Sequence, residues 1–176
     1  MDSLLKNQIW DLYKLPIGKR DLQNKWVYRL KEEDGGKNFF KSKLVVKGFA
    51  QKKGIDFDEI FSPVVKMTSI HTILSLVDTE DLHLEQQLDV KTTFLHEDLD
   101  EKIYMSQPQG FEVKVKEDSV CRLKKSLYGL KQAPWQWYMK FDRFIHEHGY
   151  SRCHSNHCVY FMIATLYYVY MLMICL

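Results

Sequence analysis

Between Lys25 and Phe49 the chain alternates polar and apolar residues twice, as KWVYRLKEE and KNFFKSKLVVKGF, around Asp34-Gly35-Gly36. Alternation broken by a glycine-rich turn predicts a β-hairpin. On its second strand Phe40, Leu44 and Val46 share one face and Lys41, Lys43 and Lys47 the other. SIHTILSLVDTEDLH (69–83) brings Ile70, Ile73, Leu74 and Val77 together at helical spacing. LEQQLDV (84–90) predicts a strand, and VCRLKKSLYGLKQAP (120–134) a strand followed by a glycine-containing turn. APWQWYMKFDRFIHEHG (133–149) is the strongest helix signal, with Trp137, Phe141, Phe144, Ile145 and His148 on one face. Pro134 near its start and Gly149 just past its end suit helix termini. Strands and helices mix without strict alternation, which predicts an α+β fold.

The last segment, CVYFMIATLYYVYMLMICL (158–176), holds 19 residues without a charge. That length admits a marginal membrane helix. Its Tyr, Val, Ile and Phe content, with tyrosines spread throughout, points instead to a buried strand pair. The membrane helix remains the alternative.

With 176 residues, 45% hydrophobic and 14% aromatic, the chain can bury a core and is not disordered. The net charge of +2 is unevenly spread. Residues 1–66 carry 14 basic and nine acidic side chains, residues 67–100 one lysine against eight acids, and residues 101–150 nine basic against six acidic. A basic–acidic–basic order suits a protein that holds a polyanion on its flanks and cations in its middle. Lys37 to Lys53 contains six lysines and no acid. That stretch reads either as an edge strand defended by lysine or as a phosphate-contacting face. The four cysteines form no CxxC pair, and MDSLLKNQIWDLYKL has no sustained apolar stretch. Reduced thiols and an intracellular setting, cytoplasmic or nuclear, are therefore expected.

Other chemistry is weakly signalled. CHSNHC (153–158) offers Cys153, His154, His157 and Cys158, but six consecutive residues can hardly converge four ligands tetrahedrally on zinc. DGGK (34–37) is a turn and not a phosphate-binding loop, and no nucleophile elbow or HExxH occurs. In QLDVKTTFLHEDL (87–99) the apolar run stops on Asp89. A carboxylate at a strand end needs a metal ion, a cationic partner or a turn to cap. On this feature alone, capping the turn at Val90–Thr92 is the favoured reading over a metal site.

The blocks taken together change that balance. MDSLLKNQIWDLYKLPIGKR, NKWVYRLK, KLVVKGFAQKKGIDFDEIFSPVVKMTSI, LDVKTTFLHEDLDEKIYMSQPQGF, VCRLKKSLYGLKQAPWQWY and HCVYF follow one another in an order that strongly resembles the reverse transcriptase of copia-type LTR retrotransposons. The resemblance covers essentially the whole chain. It implies one domain fragment of a Pol polyprotein, with a fingers-like hairpin region over about 1–66 and a palm-like region over 67–176, incomplete at its C-terminus and without a thumb. It also implies template–primer RNA or DNA and a deoxynucleoside triphosphate as partners, with no obligate protein partner.

The implied roles transfer residue by residue. Asp89 matches the first catalytic aspartate, a ligand to two Mg²⁺ (or Mn²⁺) ions, and Val90 would offer a carbonyl beside it. Phe94 matches the aromatic that rejects a 2′-hydroxyl. Lys43 and Lys47 resemble fingers residues that face triphosphate or template. Tyr128, Gly129 and Pro134 match the element lining the nucleotide and template pocket. Lys131 would add a phosphate contact; Arg122, Lys124 and Lys125 would either do the same or belong to a solvated loop. Two features depart from the family: Trp135 replaces a common cation and Thr93 a small alanine. The third departure is larger. The family's Tyr-Val-Asp-Asp turn has YYVYMLMI (167–174) as its counterpart, with Tyr170 and Met171 where the acids are expected, and no acid follows Glu147. The resemblance thus implies a truncated, degenerate copy that is catalytically incompetent. A non-catalytic remnant that binds nucleic acid, or is anchored to a membrane by its C-terminal segment, is the alternative.

Overall fold

The computed structural model describes residues 4, 6–33, 37–83, 93–96, 98–113, 116, 118–163 and 168–172. Among the described residues it is α+β, with antiparallel sheets and two α-helices. The chain forms two compact units that interleave along the sequence: Met1–Ile60 with Thr92–Gln136, and Phe61–Lys91 with Trp137–Leu176.

In the first unit, β1 (Trp10–Lys14), β4 (Tyr104–Met105) and β5 (Ser119–Leu123) form a sheet in the order β1-β5-β4. β5 is central and buries Val120, Cys121 and Leu123, so it lacks the clean alternation of a one-faced strand. Its antiparallel register with β1 runs from Trp10↔Leu123 to Lys14↔Ser119.

The predicted hairpin is present. β2 (Asn24–Glu33) and β3 (Lys37–Val46) pair antiparallel, from Asn24↔Val46 to Glu33↔Lys37. Its base packs into the core through Leu44 and Val46, and Trp26 rests against Phe111 while donating to the Gln109 carbonyl at 2.9 Å. Ten residues at about 3.3 Å each carry the ribbon about 33 Å, past what the core can cover. Phe40 therefore shares the face of Leu44 and Val46 yet is 77% exposed, beside its cross-strand partner Leu30. The core of this unit gathers Leu22, Leu44, Val46, Met105, Leu123 and Leu127 with several others, including the buried Cys121.

The second unit contains α1 (Met67–Thr79), most of α2 (Ala133–Glu147), and a sheet in the order β6-β7-β8. Those strands are Ser151–Arg152, Val159–Ile163 and Tyr168–Leu172. α1 falls where periodicity predicts a helix, and none of its side chains is fully buried. Thr72, Ser75 and Thr79 satisfy their hydroxyls on the carbonyls four residues back.

α2 ends as its sequence predicts. Gly149 adopts φ +85°, its N–H bonds the His146 carbonyl, and the Tyr150 N–H reaches the Ile145 carbonyl. This pair of bonds is a Schellman cap. The inward face differs in detail from the predicted one. Tyr138 and Ile145 are buried, whereas Phe144 is half exposed and stacks on His148 at 4.2 Å. Tyr138 is drawn inward because its hydroxyl accepts from Arg152 at 2.8 Å, and Arg152 also faces Asp142 at 3.4 Å. Tyr160 donates to the same carboxylate at 2.9 Å.

Within the C-terminal segment, β7 and β8 pair antiparallel, from Val159↔Leu172 to Ile163↔Tyr168. Among the described residues no helix is long and apolar enough to cross a membrane. CHSNHC proves to be a turn built by Asn156. Its side-chain oxygen accepts from the Cys158 N–H at 3.0 Å, and its amide donates to the Ser69 hydroxyl at 2.8 Å.

Candidate functional site

The site lies in the first unit, where the base of the hairpin meets the turn before α2. The Val46 N–H donates to the Tyr128 carbonyl at 2.8 Å, and Val45 bridges Tyr128 in parallel fashion. The approach is as close as two backbones allow. Gly129 takes φ +93°, and a Cβ there would stand 2.1 Å from the Val46 carbonyl oxygen. A Cβ on Gly48 would stand 1.9 Å from the Gly129 oxygen. Both positions require glycine, and Gly129 requires it twice over.

This crossing brings three of the residues implied by resemblance into one cluster. The Lys43 ammonium lies 4.4 Å from the centre of the Tyr128 ring. Phe94, from the 3₁₀ turn Thr93–His96, meets the same ring edge-on at 5.0 Å. Each contact is worth about 0.5–1.5 kcal/mol. Lys43 remains half exposed, so its charge stays available to an anion. Thr93 opens the 3₁₀ turn that carries Phe94.

Lys131 stands beside this cluster. Its ammonium donates to the Gln51 carbonyl at 3.2 Å and lies 5.0 Å from the centre of the Phe57 ring. Pro134 is the second residue of α2, where its missing N–H leaves no intrahelical bond unmade, and Trp135 is the third. Lys47 follows β3 directly, with its N–H on the Gln23 carbonyl and its side chain half exposed.

The remaining basic candidates have local partners. The Arg122 guanidinium lies 5.3 Å from the Tyr13 ring centre, Lys124 pairs with Asp11 at 3.0 Å, and Lys125 with Asp98 at 4.0 Å. Lys124, Lys125 and Asp98 line an open cavity of about 370 Å³ with Lys6, Asn7 and Gln8.

Asp89 and Val90, with the strand predicted over 84–90, lie outside the described residues. The backbone at Tyr170 and Met171 lies inside the β7–β8 ladder, opposite Phe161 and Tyr160, and not in a turn. Phenol and thioether are poor donors for Mg²⁺, which demands octahedral oxygen ligation. Asp89 with Tyr170 and Met171 therefore does not fit a two-Mg²⁺ set. Among the described residues no three His, Cys, Asp or Glu side chains gather in a way that could hold a metal ion.

The sequence reading missed Gln51 and Gln132, which are buried beneath the Tyr128–Gly129 turn. Each looks like an ordinary surface residue in its own segment, and only the fold brings them together across 81 positions.

The chain matches the family model described as reverse transcriptase (RNA-dependent DNA polymerase) over residues 7–173. It is 63% identical over 162 residues to the retrovirus-related Pol polyprotein from transposon TNT 1-94 of Nicotiana tabacum, covering 92% of this chain and 12% of that protein. It is 36% identical over 174 residues to the Pol polyprotein from transposon RE2 of Arabidopsis thaliana, covering 98% of this chain and 12% of that protein. To the Ty1-BL Gag-Pol polyprotein of Saccharomyces cerevisiae it is 28% identical over 165 residues, covering 91% of this chain and 9% of that protein. The chain thus spans about an eighth of the length of the two plant relatives. No solved structure matches it significantly. With nearly its whole length matched by the family model, the chain belongs to the reverse transcriptase (RNA-dependent DNA polymerase) family.

Proposed function

We propose that this chain is the fingers-and-palm part of a copia-type retrotransposon reverse transcriptase, and that the Lys43–Tyr128–Phe94 cluster is the wall of its nucleotide pocket. The observation that carries the reading is the glycine-to-backbone crossing, because it sets Lys43 against the Tyr128–Phe94 pair, three residues to which the resemblance gives nucleotide-facing roles. Lys43 and Lys47 face triphosphate or template, Phe94 rejects the 2′-hydroxyl sterically, and Tyr128, Gly129 and Pro134 line the pocket. Residues 1–66 supply the fingers-like region and 67–176 the palm-like region. Template–primer RNA or DNA is the macromolecular partner.

Residues 1–176 by themselves are catalytically incompetent in this reading. In-line nucleotidyl transfer on two metal ions needs several carboxylates around both. No acid follows Glu147, and the β8 ladder leaves no acid turn within 168–172. Asp89 is the one member of that set to which this chain gives a carboxylate.

The test is titration of labelled template–primer and of dGTP into the purified chain. Lys43→Ala and Tyr128→Ala are expected to weaken dGTP binding about tenfold, the effect of one charge-assisted contact. Phe94→Ala is expected to narrow the preference for dGTP over GTP. Template–primer affinity is expected to fall as salt rises, through counterion release. Binding that is unchanged in all three variants and insensitive to salt would exclude the proposal.

A further inference from the structure

The segment after β3 is held to the turn before α2 by two buried glutamines. Gln51 and Gln132 are 4% and 1% exposed. Gln51 Oε1 accepts from the Lys131 backbone N–H at 2.8 Å, and its Nε2 donates to Gln132 Oε1 at 3.0 Å. Gln132 Nε2 in turn donates to the Asp56 carbonyl at 3.1 Å.

The relay has a fixed polarity. A backbone N–H, which can only donate, stands at one end, and a backbone carbonyl, which can only accept, stands at the other. Both amide orientations follow from those two ends, and neither side chain can flip without facing oxygen against oxygen. The Asp56 end is itself pinned, since its carboxylate takes Arg20 at 3.0 Å and the Lys52 N–H at 2.7 Å. The Gln51–Lys131, Gln51–Gln132 and Gln132–Asp56 bonds tie residues 48–57 to residues 127–132, the two stretches that cross at Gly48 and Gly129.

We infer that Gln51 and Gln132 are positioning residues: a two-amide latch that holds the Tyr128–Gly129 turn on β3 and so aims the Tyr128 ring between Lys43 and Phe94. The inference deepens the nucleotide-pocket reading and rests on it for its functional meaning. Neither glutamine belongs to the Lys43–Tyr128–Phe94 cluster. Each acts through the backbone of the turn, so a change at either moves Tyr128 without removing any pocket group.

The test is NMR of the 176-residue chain with Gln51→Met, Gln132→Met and Gln51→Glu. In the parent, the Lys43 ε-methylene protons are expected upfield because the ammonium they adjoin lies over the Tyr128 ring, with Phe94–Tyr128 NOEs. In both Met variants that upfield shift and those NOEs are expected to vanish while the β1–β5 cross-strand NOEs persist. Gln51→Glu keeps the acceptor for Lys131 N–H but turns a second oxygen toward Gln132 Oε1. It is expected to lose the signature at neutral pH and regain it on acidification, when the carboxyl can donate. Near this position stand the Lys131 ammonium, on the Gln51 carbonyl, and the Arg20-paired Asp56 carboxylate, on the Lys52 N–H, so the midpoint of recovery reports their balance with burial. Recovery by protonation is a readout that mere packing would not produce. A parent-like signature in a folded Met variant, or in Gln51→Glu at neutral pH, overturns the latch. Added dGTP separates the two claims: if it leaves the parent's Lys43 and Tyr128 resonances unmoved, the pocket reading fails, while the latch still stands or falls on the ring signature.

Discussion

Replacing Gly129 with alanine tests the crossing on which the site depends. Two costs add at this position. A residue with a Cβ at φ +93° loses about 1–2 kcal/mol on backbone conformation. The Cβ would also stand 2.1 Å from the Val46 carbonyl oxygen and 2.9 Å from Val45 Cγ1, and a backbone oxygen cannot swing aside as a flexible side chain can. Relief requires the turn to leave β3, which breaks the bond from Val46 N–H to the Tyr128 carbonyl, worth about 1 kcal/mol net. The sum is about 2–3 kcal/mol before any loss at the buried Val46 and Leu127, a large part of the 5–15 kcal/mol typical of a domain. Gly110 supplies the control. Its φ is +86°, and no atom lies within 4 Å of a Cβ built there, so Gly110→Ala carries the conformational cost alone. Urea unfolding followed by tryptophan fluorescence, with amide exchange at Val46 as the local probe, measures both. Gly129→Ala is expected to lose at least about 1 kcal/mol more than Gly110→Ala, with Val46 exchange accelerated only in the former. Equal losses would refute the reasoning, because the contact would then have been relieved without cost.

Two further outcomes follow from buried polar groups. Tyr160→Phe removes the donor to the largely buried Asp142 carboxylate and is expected to cost about 2 kcal/mol in thermal or urea unfolding, since bonds to charged groups are worth about 1.5–3 kcal/mol; a cost below about 0.5 kcal/mol would mean that Arg152 and His146 satisfy Asp142 without it. Burial pushes the Cys121 thiol up to about 12 from 9.0, so between those values the unfolded chain gives up a proton that the folded chain keeps. Stability is therefore full below pH 9 and falls above it by about 1.4 kcal/mol per pH unit. The Tyr160 hydroxyl, raised first by burial and then by its bond to Asp142, adds its own loss only above about pH 10. Cys121→Val is expected to flatten the slope between pH 9 and 10.

Much of this architecture was legible because it is local. Alternation around Asp34-Gly35-Gly36 marks the hairpin, and the apolar spacing of 133–149 with Pro134 and Gly149 marks α2 and its cap. The uncharged C-terminal run was readable as strands from its Tyr and Val content, and β7 and β8 pair accordingly. What escaped depends on distance in sequence. Phe40 obeys its strand's face, but nothing local says that the core ends before it. Tyr138 outranks Trp137 as the buried aromatic because Arg152, 14 residues on, supplies its hydrogen bond. Asn156 organises CHSNHC through bonds to its own turn and to Ser69, 87 residues away, which no metal-ligand pattern describes. Gln51 and Gln132 carry no signal in their own segments, because amides reveal a role only once their fixed-polarity partners are placed. The two units interleave, and that too is a property of the fold and not of any linear segment.

The most direct measurement is primer extension on a labelled RNA template with Mg²⁺ or Mn²⁺, run where anisotropy shows the same template–primer bound to the chain, with Asp89→Asn alongside. A complex that binds and does not extend is expected, equally in parent and variant, because one carboxylate does not hold two metal ions. Extension by the parent that disappears in Asp89→Asn would contradict this expectation, and would mean that a working metal site forms without an acid pair from this chain.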